Sequence, residues 1–239
     1  MWKTFFDFCY FWSYFIPKRE WRESYRVNKL FDYRHKLKVL CESCPDIKIK
    51  NIRMIKGGWN IGFIINNKYV FKIRKKFDET RIPKIIKEKR MTDAFQELVP
   101  LAIPKIEVIT SGGYTFYRYN FIPGHNMNTF SFRTIMKHRT VWAKQLAEFI
   151  FAMHHASPIG IDDLKTDQGD GWHHNDICNN TVVDTKTMKI RGIIDWEYSG
   201  WNFLETEFRN CTHWSSKLRK SGMEQLIRDE YEKLEKTHK

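Results

Sequence analysis

The sequence predicts an α+β fold of two lobes, a small antiparallel β-sheet lobe followed by a mainly helical one. Two observations carry this. Between residues 51 and 121, short runs of strand formers alternate with turns bearing Gly, Asn and Lys. From residue 123 onward, apolar residues recur mostly at helical spacing, apart from one further pair of strand-like runs, 181–183 and 189–194. A chain of 239 residues is long enough for such a packed core. It divides into an aromatic and basic segment, 1–50, a strand-rich lobe, 51–122, and a helical lobe, 123–239.

Taken in order, the stretch from Met1 to Ile16 is dense in aromatics, then basic residues follow from Lys18 to Lys38. With Lys3, Asp7 and Ser13 inside it, the aromatic run is too short and too polar to span a bilayer. It also lacks the small-residue cleavage site of a signal peptide. Two readings stay open: contact with an anionic membrane surface, or a helix packed on the body with its aromatics in the core.

In the strand-rich lobe, Ile52 to Ile55, Gly62 to Ile65 and Tyr69 to Ile73 read as three strands. Gly57, Gly58 and Asn60 lie in the first turn, where glycines let a backbone approach phosphates. A plain hairpin turn is the alternative. Lys72 lies on the third strand on the face opposite Phe71 and Ile73. Ile82 to Leu98 reads as a helix on which Glu88 shares a face with Met91 and Phe95. Ile106 to Thr110 and Thr115 to Phe121 form a hairpin, followed by Ile122-Pro123-Gly124. In the helical lobe, 130–157 carries an apolar stripe of Val141, Leu146, Ala147, Phe149, Ile150 and Met153. His154 and His155 at its end read as structural, and Glu224 to Lys239 as a charged terminal helix.

The chemistry concentrates between His173 and Glu207. Asp176 precedes the run Thr181 to Val183, and Asp195 follows the run Lys189 to Ile194. An antiparallel hairpin of those runs brings both carboxylates to its open end. Phosphoryl transfer uses such a pair: one acid orients the attacking hydroxyl and accepts its proton, the other holds Mg²⁺ against the nucleotide phosphates. In that scheme Lys72 binds phosphate and Glu88 steadies Lys72.

These residues carry a resemblance. His174-Asn175-Asp176 and Ile194-Asp195-Trp196-Glu197-Tyr198, with Trp201-Asn202-Phe203, Glu207 and Asn210, resemble the aminoglycoside phosphotransferase/choline kinase superfamily, nearest its choline and ethanolamine kinase branch. The resemblance implies a protein-kinase-like fold, ATP and Mg²⁺ as cofactors, and phosphate transfer to a small alcohol. It implies that Gly57, Gly58 and Asn60 form a phosphate loop, and that the backbone around Phe121 and Ile122 reads adenine. The branch has Asp where this chain has Glu207. It has a metal-binding Asn where this chain has Thr181, so either Asn180 or Thr181 completes the metal site with Asp195. Trp196, Trp201 and Trp214, with Glu197 or Glu207, would hold an ammonium head group through cation–π contacts, core packing being the alternative.

Composition bounds the rest. Lys and Arg number 41 against 28 Asp and Glu, a formal charge of +13, which favours anionic partners and opposes a polycationic acceptor. Nucleic acid has only that charge in its favour. The five cysteines are odd in number and scattered, and fit reduced thiols in a cytoplasmic protein, peripheral to the inner face of the membrane if the N-terminal segment binds there. Two competing functions remain: a kinase of a sugar hydroxyl on a surface polysaccharide or lipopolysaccharide intermediate, and a pseudokinase or membrane-associated binding module.

Overall fold

The computed structural model describes residues 9, 11–18, 21–22, 25, 32–56, 60–74 and 79–238. The expected phosphate-loop residues Gly57 and Gly58 lie outside the described residues, as do residues 1–8, 10, 19–20, 23–24 and 26–31 of the aromatic and basic segment. Contacts divide the chain into two units, Met1–Glu79 with Ile109–Tyr117, and Thr80–Val108 with Arg118–Lys239.

The first unit is built on a sheet of order β1-β2-β3-β5-β4. Its strands are β1 (Ile52–Lys56), β2 (Asn60–Ile65), β3 (Tyr69–Arg74), β4 (Glu107–Ser111) and β5 (Tyr114–Asn120). The β2–β3 turn works because Asn66 and Asn67 both take positive φ, 56° and 52°, a conformation that asparagine tolerates better than most residues. The Asn66 Oδ1 then accepts from the backbone N–H groups of Lys50 and Asn51 at 2.8 and 3.0 Å, tying the strand entering the sheet to the turn. Helix α1 (Asp32–Ser43) contributes Leu37, Val39 and Leu40 to one apolar cluster with Phe63, Phe71 and Phe116. That part of the N-terminal segment packs on the sheet. Phe11, Trp12, Tyr14, Phe15 and Trp21, in contrast, are exposed.

The second unit is mainly helical: α2 (Ile82–Phe95), α3 (Phe132–His155), α4 (Leu204–Cys211), α5 (Ser216–Lys220) and α6 (Met223–Thr237). Helix α2 belongs here, not with the strand-rich lobe to which a division at 122 assigns it. Its Met91 and Phe95 share one core with Trp172, Trp196 and the α3 residues Phe149 and Met153. It stops at Phe95, short of the expected Leu98, and Ile86 and Leu98 are exposed. In α3 the Ser131 hydroxyl caps the start, accepting from the Thr134 N–H at 3.2 Å. Trp142 is fully buried in place of the expected Val141, which faces solvent.

Two small sheets complete this unit. One has the order β6-β8-β9, with β6 (His125–Asn126), β8 (Thr181–Val183) and β9 (Ile190–Ile193); the other pairs β7 (Gly171–His173) with β10 (Gly200–Asn202). Gly124 enters β6 with φ +151°, and a Cβ there would lie 2.5 Å from the Val183 carbonyl oxygen, so no other residue fits as the chain crosses β8. Among the described residues, no helix is long and apolar enough to cross a membrane.

Candidate active site

The β8–β9 hairpin forms as its sequence dictates. Asp184 starts the turn, with its Oδ1 accepting from the N–H groups of Lys186 and Thr187 at 2.7 and 3.1 Å. These bonds and the Arg191 guanidinium hold its carboxyl down at about 2. Thr181 pairs with Ile193 in register, and the Ile194 N–H extends the ladder to the Asn180 carbonyl at 2.9 Å. The loop holding Asp176 and the residue Asp195 therefore leave the same end of the hairpin, and the Asp195 charge is felt at Asp176.

The Asp176 carboxylate is held from both sides. Asn179 Nδ2 donates to Oδ1 at 2.6 Å and Asn180 Nδ2 to Oδ2 at 3.0 Å. Asn179 is itself oriented by Asn128, whose Nδ2 donates to Asn179 Oδ1 at 2.6 Å. Burial raises the Asp176 pKa and the Asp195 charge adds to that, while the two amides act in the opposite direction. His174 ties together the backbone segments that carry the two acids. Its Nε2 donates to the Ile194 carbonyl at 3.2 Å and its Nδ1 accepts the Asp176 N–H at 3.3 Å. Asn175 and Asp195 both have left-handed backbones, φ 65° and 62°. Such strain at single residues concentrates at functional sites and needs surrounding bonds to hold it. Asn175 has them: its Nδ2 donates to the Tyr198 carbonyl and its Oδ1 accepts from Asn202 Nδ2, both at 3.1 Å.

Two buried glutamates brace this loop pair. Glu88 faces inward from α2, as its place beside Met91 and Phe95 implies, and its Oε1 accepts the Trp196 N–H at 3.1 Å. That fixes the backbone immediately after Asp195. Glu207, in α4, is fully buried, and its Oε2 accepts the Asn175 N–H at 2.6 Å. Burial pushes the Glu207 carboxyl up to about 7, against the pull of the Asn175 and His174 N–H groups.

The structure revises the expected acceptor set. Trp196 is fully buried, its ring against Phe95, Phe149 and His174 and its Nε1 donating to the Ile193 carbonyl. It is a core residue and not an acceptor contact, because the turn Trp196–Tyr198 starts from the left-handed Asp195 and directs this ring inward. Glu207 likewise is fully buried and meets the backbone of Asn175. Trp201 is half-buried against Trp172, with Lys165 Nζ 5.2 Å from its ring centroid. It lines an open groove of about 470 Å³ with Thr166, Asp167, Gln168, Asn202 and Phe203. Glu197 is half-buried, and Trp214 is exposed beside His213. His213 lowers the Asp176 pKa through its charge.

For the second metal ligand, Thr181 is fully buried in β8 with its hydroxyl donating to the Ile177 carbonyl at 2.8 Å, which removes it from a metal site. Asn180 is the residue beside Asp176. Its Nδ2 is committed there, which leaves its Oδ1 as the amide atom for a ligand role, an oxygen of the kind Mg²⁺ takes. In the first unit, Lys72 is half-buried opposite Gly62, its Nζ 5.5 Å from the Tyr117 ring, between the buried Phe71 and Ile73. Asn60 opens β2 opposite Arg74. Phe121 and Ile122 are half-buried in the extended segment after β5.

Sequence comparison finds no protein-family model and no curated protein that matches this chain. Structure comparison does. The GDP and kanamycin complex of APH(2")-IIia superposes with a TM-score of 0.64 at 16% identity, over 83% of this chain and 82% of that one. This is the aminoglycoside phosphotransferase fold. The streptomycin–ATP–APH(2")-IIa ternary complex gives 0.61 at 17% identity, over 84% of this chain and 81% of that one. Aminoglycoside phosphotransferase APH(3'')-Id from Streptomyces rimosus gives 0.60 at 12%, over 84% and 92%. The protein-kinase-like fold, with an antiparallel sheet and a mainly helical second part, is the one the sequence predicts. Residues that sequence reasoning missed are Asn128 and Asn179, which aim Asp176. Their only signal was the Asn-rich loop at 179–180.

Proposed function

We propose that the chain is an ATP- and Mg²⁺-dependent phosphotransferase acting on a small alcohol, with amino alcohols of the choline and ethanolamine class as first acceptors. The observation that carries it is the Asp176–Asp195 pair at one end of a hairpin: the Asp176 carboxylate is clamped by Asn179 and Asn180, and the backbone on either side of the strained Asp195 is held by His174 and Glu88. Asp176 would orient the acceptor hydroxyl and take its proton as the bond to phosphorus forms. Its raised pKa suits a base whose proton affinity must be felt by an alcohol. Asp195, with Asn180 Oδ1, would hold Mg²⁺, and these are oxygen donors as that ion requires. When bound, Mg²⁺ offsets phosphate charge. Lys72 would bind the phosphates, and Asn60 and the 121–122 backbone would contact the nucleotide.

The amino-alcohol assignment rests on the match through residues 195–210 and on Trp201, whose face already accepts an ammonium, that of Lys165. A second reading keeps the chemistry and takes a sugar hydroxyl of a surface-glycan or lipid-linked intermediate at an anionic membrane face. It is supported by the exposed aromatics Phe11, Trp12, Tyr14 and Phe15 beside Lys18, and by the formal charge of +13. The test is a phosphate-transfer screen of the full chain with ATP·Mg²⁺ against panels of amino alcohols and sugars. Transfer to either panel, abolished by Asp176→Ala with ATP binding retained, supports the phosphotransferase. ATP binding without transfer to any acceptor would leave the binding-module reading in its place.

A further inference from the structure

Away from Asp176 and Asp195, the C-terminal end of α3 meets the segment that leads into the catalytic loop. There His154, Asp170 and His173 converge, and their ligand atoms all lie within 4.8 Å of one another. His173 Nε2 and His154 Nε2 stand 3.2 and 3.5 Å from Asp170 Oδ1. These are the separations that neighbouring ligands have around a tetrahedral ion with metal–ligand bonds of about 2.0–2.1 Å. From this geometry we propose that His154, Asp170 and His173 form a binding site for a Zn²⁺-like divalent transition-metal ion, with water in the fourth position.

Hydrogen-bond directions support the site. Tyr231 Oη donates to Glu235 Oε1 at 3.0 Å, so in its bond with His154 Nδ1 it is the acceptor and the ring proton sits on Nδ1. His154 Nε2 is then a bare lone pair, yet it faces the Asp170 carbonyl oxygen at 3.2 Å and the Asp170 carboxylate. Three acceptors facing one another require a cation or a proton between them. His173 is almost fully buried with its Nε2 aimed into the cluster. The Tyr231 bond on the far nitrogen of His154 is the outer contact that fixes a metal-binding imidazole.

The cradle is shaped for that ring. A Cβ at Gly171 would fall 1.9 Å from His154 Cδ2, so only glycine lets β7 pass this close. Asp170 Oδ1 also accepts the Leu204 N–H at 2.8 Å. An ion here would therefore pin together the end of α3, the start of α4 and the strand that runs directly into His174.

The test uses the full chain, affinity tag removed and stripped with a chelator, titrated calorimetrically with Zn²⁺ alone. One ion should bind in wild type and in Asp195→Asn, and that binding should be lost in His154→Gln and His173→Gln and weakened at least tenfold in Gly171→Ala. No binding in wild type, or equal binding in both histidine variants, would overturn the proposal. Should the histidine variants fail to fold, Co²⁺ absorption of wild type decides: intense tetrahedral bands support the site and weak octahedral bands overturn it.

Discussion

Replacing Glu207 by Gln keeps its shape and removes its charge, which isolates the cost of an ionised carboxylate under the catalytic loop. The group titrates near 4.5 when exposed and at about 7 when folded, chiefly through burial. The folded state therefore holds the proton more tightly than the unfolded one. Between those values the unfolded chain binds fewer protons, so stability falls as pH rises and is lowest above the folded pKa. The shift corresponds to about 3 kcal/mol, of which roughly 2–3 kcal/mol falls between pH 5 and 8. The Gln variant lacks this dependence. Urea unfolding of both proteins at several pH values should show wild type losing stability relative to Glu207→Gln by about that amount as pH rises. Other carboxylates titrate in both proteins and cancel in the difference. A wild-type minus variant difference that is the same at pH 5 and 8 would refute the reasoning, because Glu207 would then be ionised or neutral throughout.

Three further outcomes are expected. Trp196→Ala should cost about 3–5 kcal/mol, read as a lower melting temperature, and leave the acceptor KM of the folded fraction unchanged. Lys165→Ala should bare the Trp201 face and lower KM for a cationic acceptor roughly two- to fivefold, since an exposed cation–π contact contributes about 0.5–1 kcal/mol; KM for a neutral acceptor should not move. Deleting residues 1–19 should weaken binding to anionic vesicles more than to neutral ones in a co-sedimentation assay.

The sheet and the two acids were legible because local patterns specify them. Phe71 and Ile73 alternate with Lys72, the Asn-Asn turn sets the β2–β3 register, and a hairpin must bring its ends together. Glu88 was legible from helical spacing alone. What was not legible depends on backbone conformation or on pairing between distant segments. Whether Trp196 points inward is decided by the left-handed φ at Asp195, which no residue pattern encodes. The β7–β10 pairing joins three-residue strands almost thirty positions apart, too short to show a period. It is also what brings Asp170 to α4. Read along the chain, His154 and His155 had no acid at ligand spacing. In α3 the expected stripe from Leu146 to Met153 is buried, and Trp142 extends it in place of Val141 because it lies four residues before Leu146 and seven before Phe149 on the same face.

The burial of Trp196 and Glu207 changes what the motif can say about the acceptor. Both were read as an ammonium pocket, yet one fills the core under the hairpin and the other holds the Asn175 N–H. Those tasks are the same whatever hydroxyl is phosphorylated. Glu88 and His174 act likewise, each binding backbone of the segment that carries an acid. The residues from 174 to 196 thus specify where two carboxylates stand, and choice of acceptor must fall to side chains that remain accessible: Glu197, Trp201 and its groove, His213 and Trp214. Among these, Trp201 alone shows a ring face already engaging a cation, and Asn202 links its groove to Asn175, the residue preceding Asp176. An acceptor bound against Trp201 would therefore press on the same hydrogen-bonded chain that holds the catalytic loop. Substitutions in the groove should then alter kcat together with KM, whereas substitutions at the exposed Trp214 should alter KM alone.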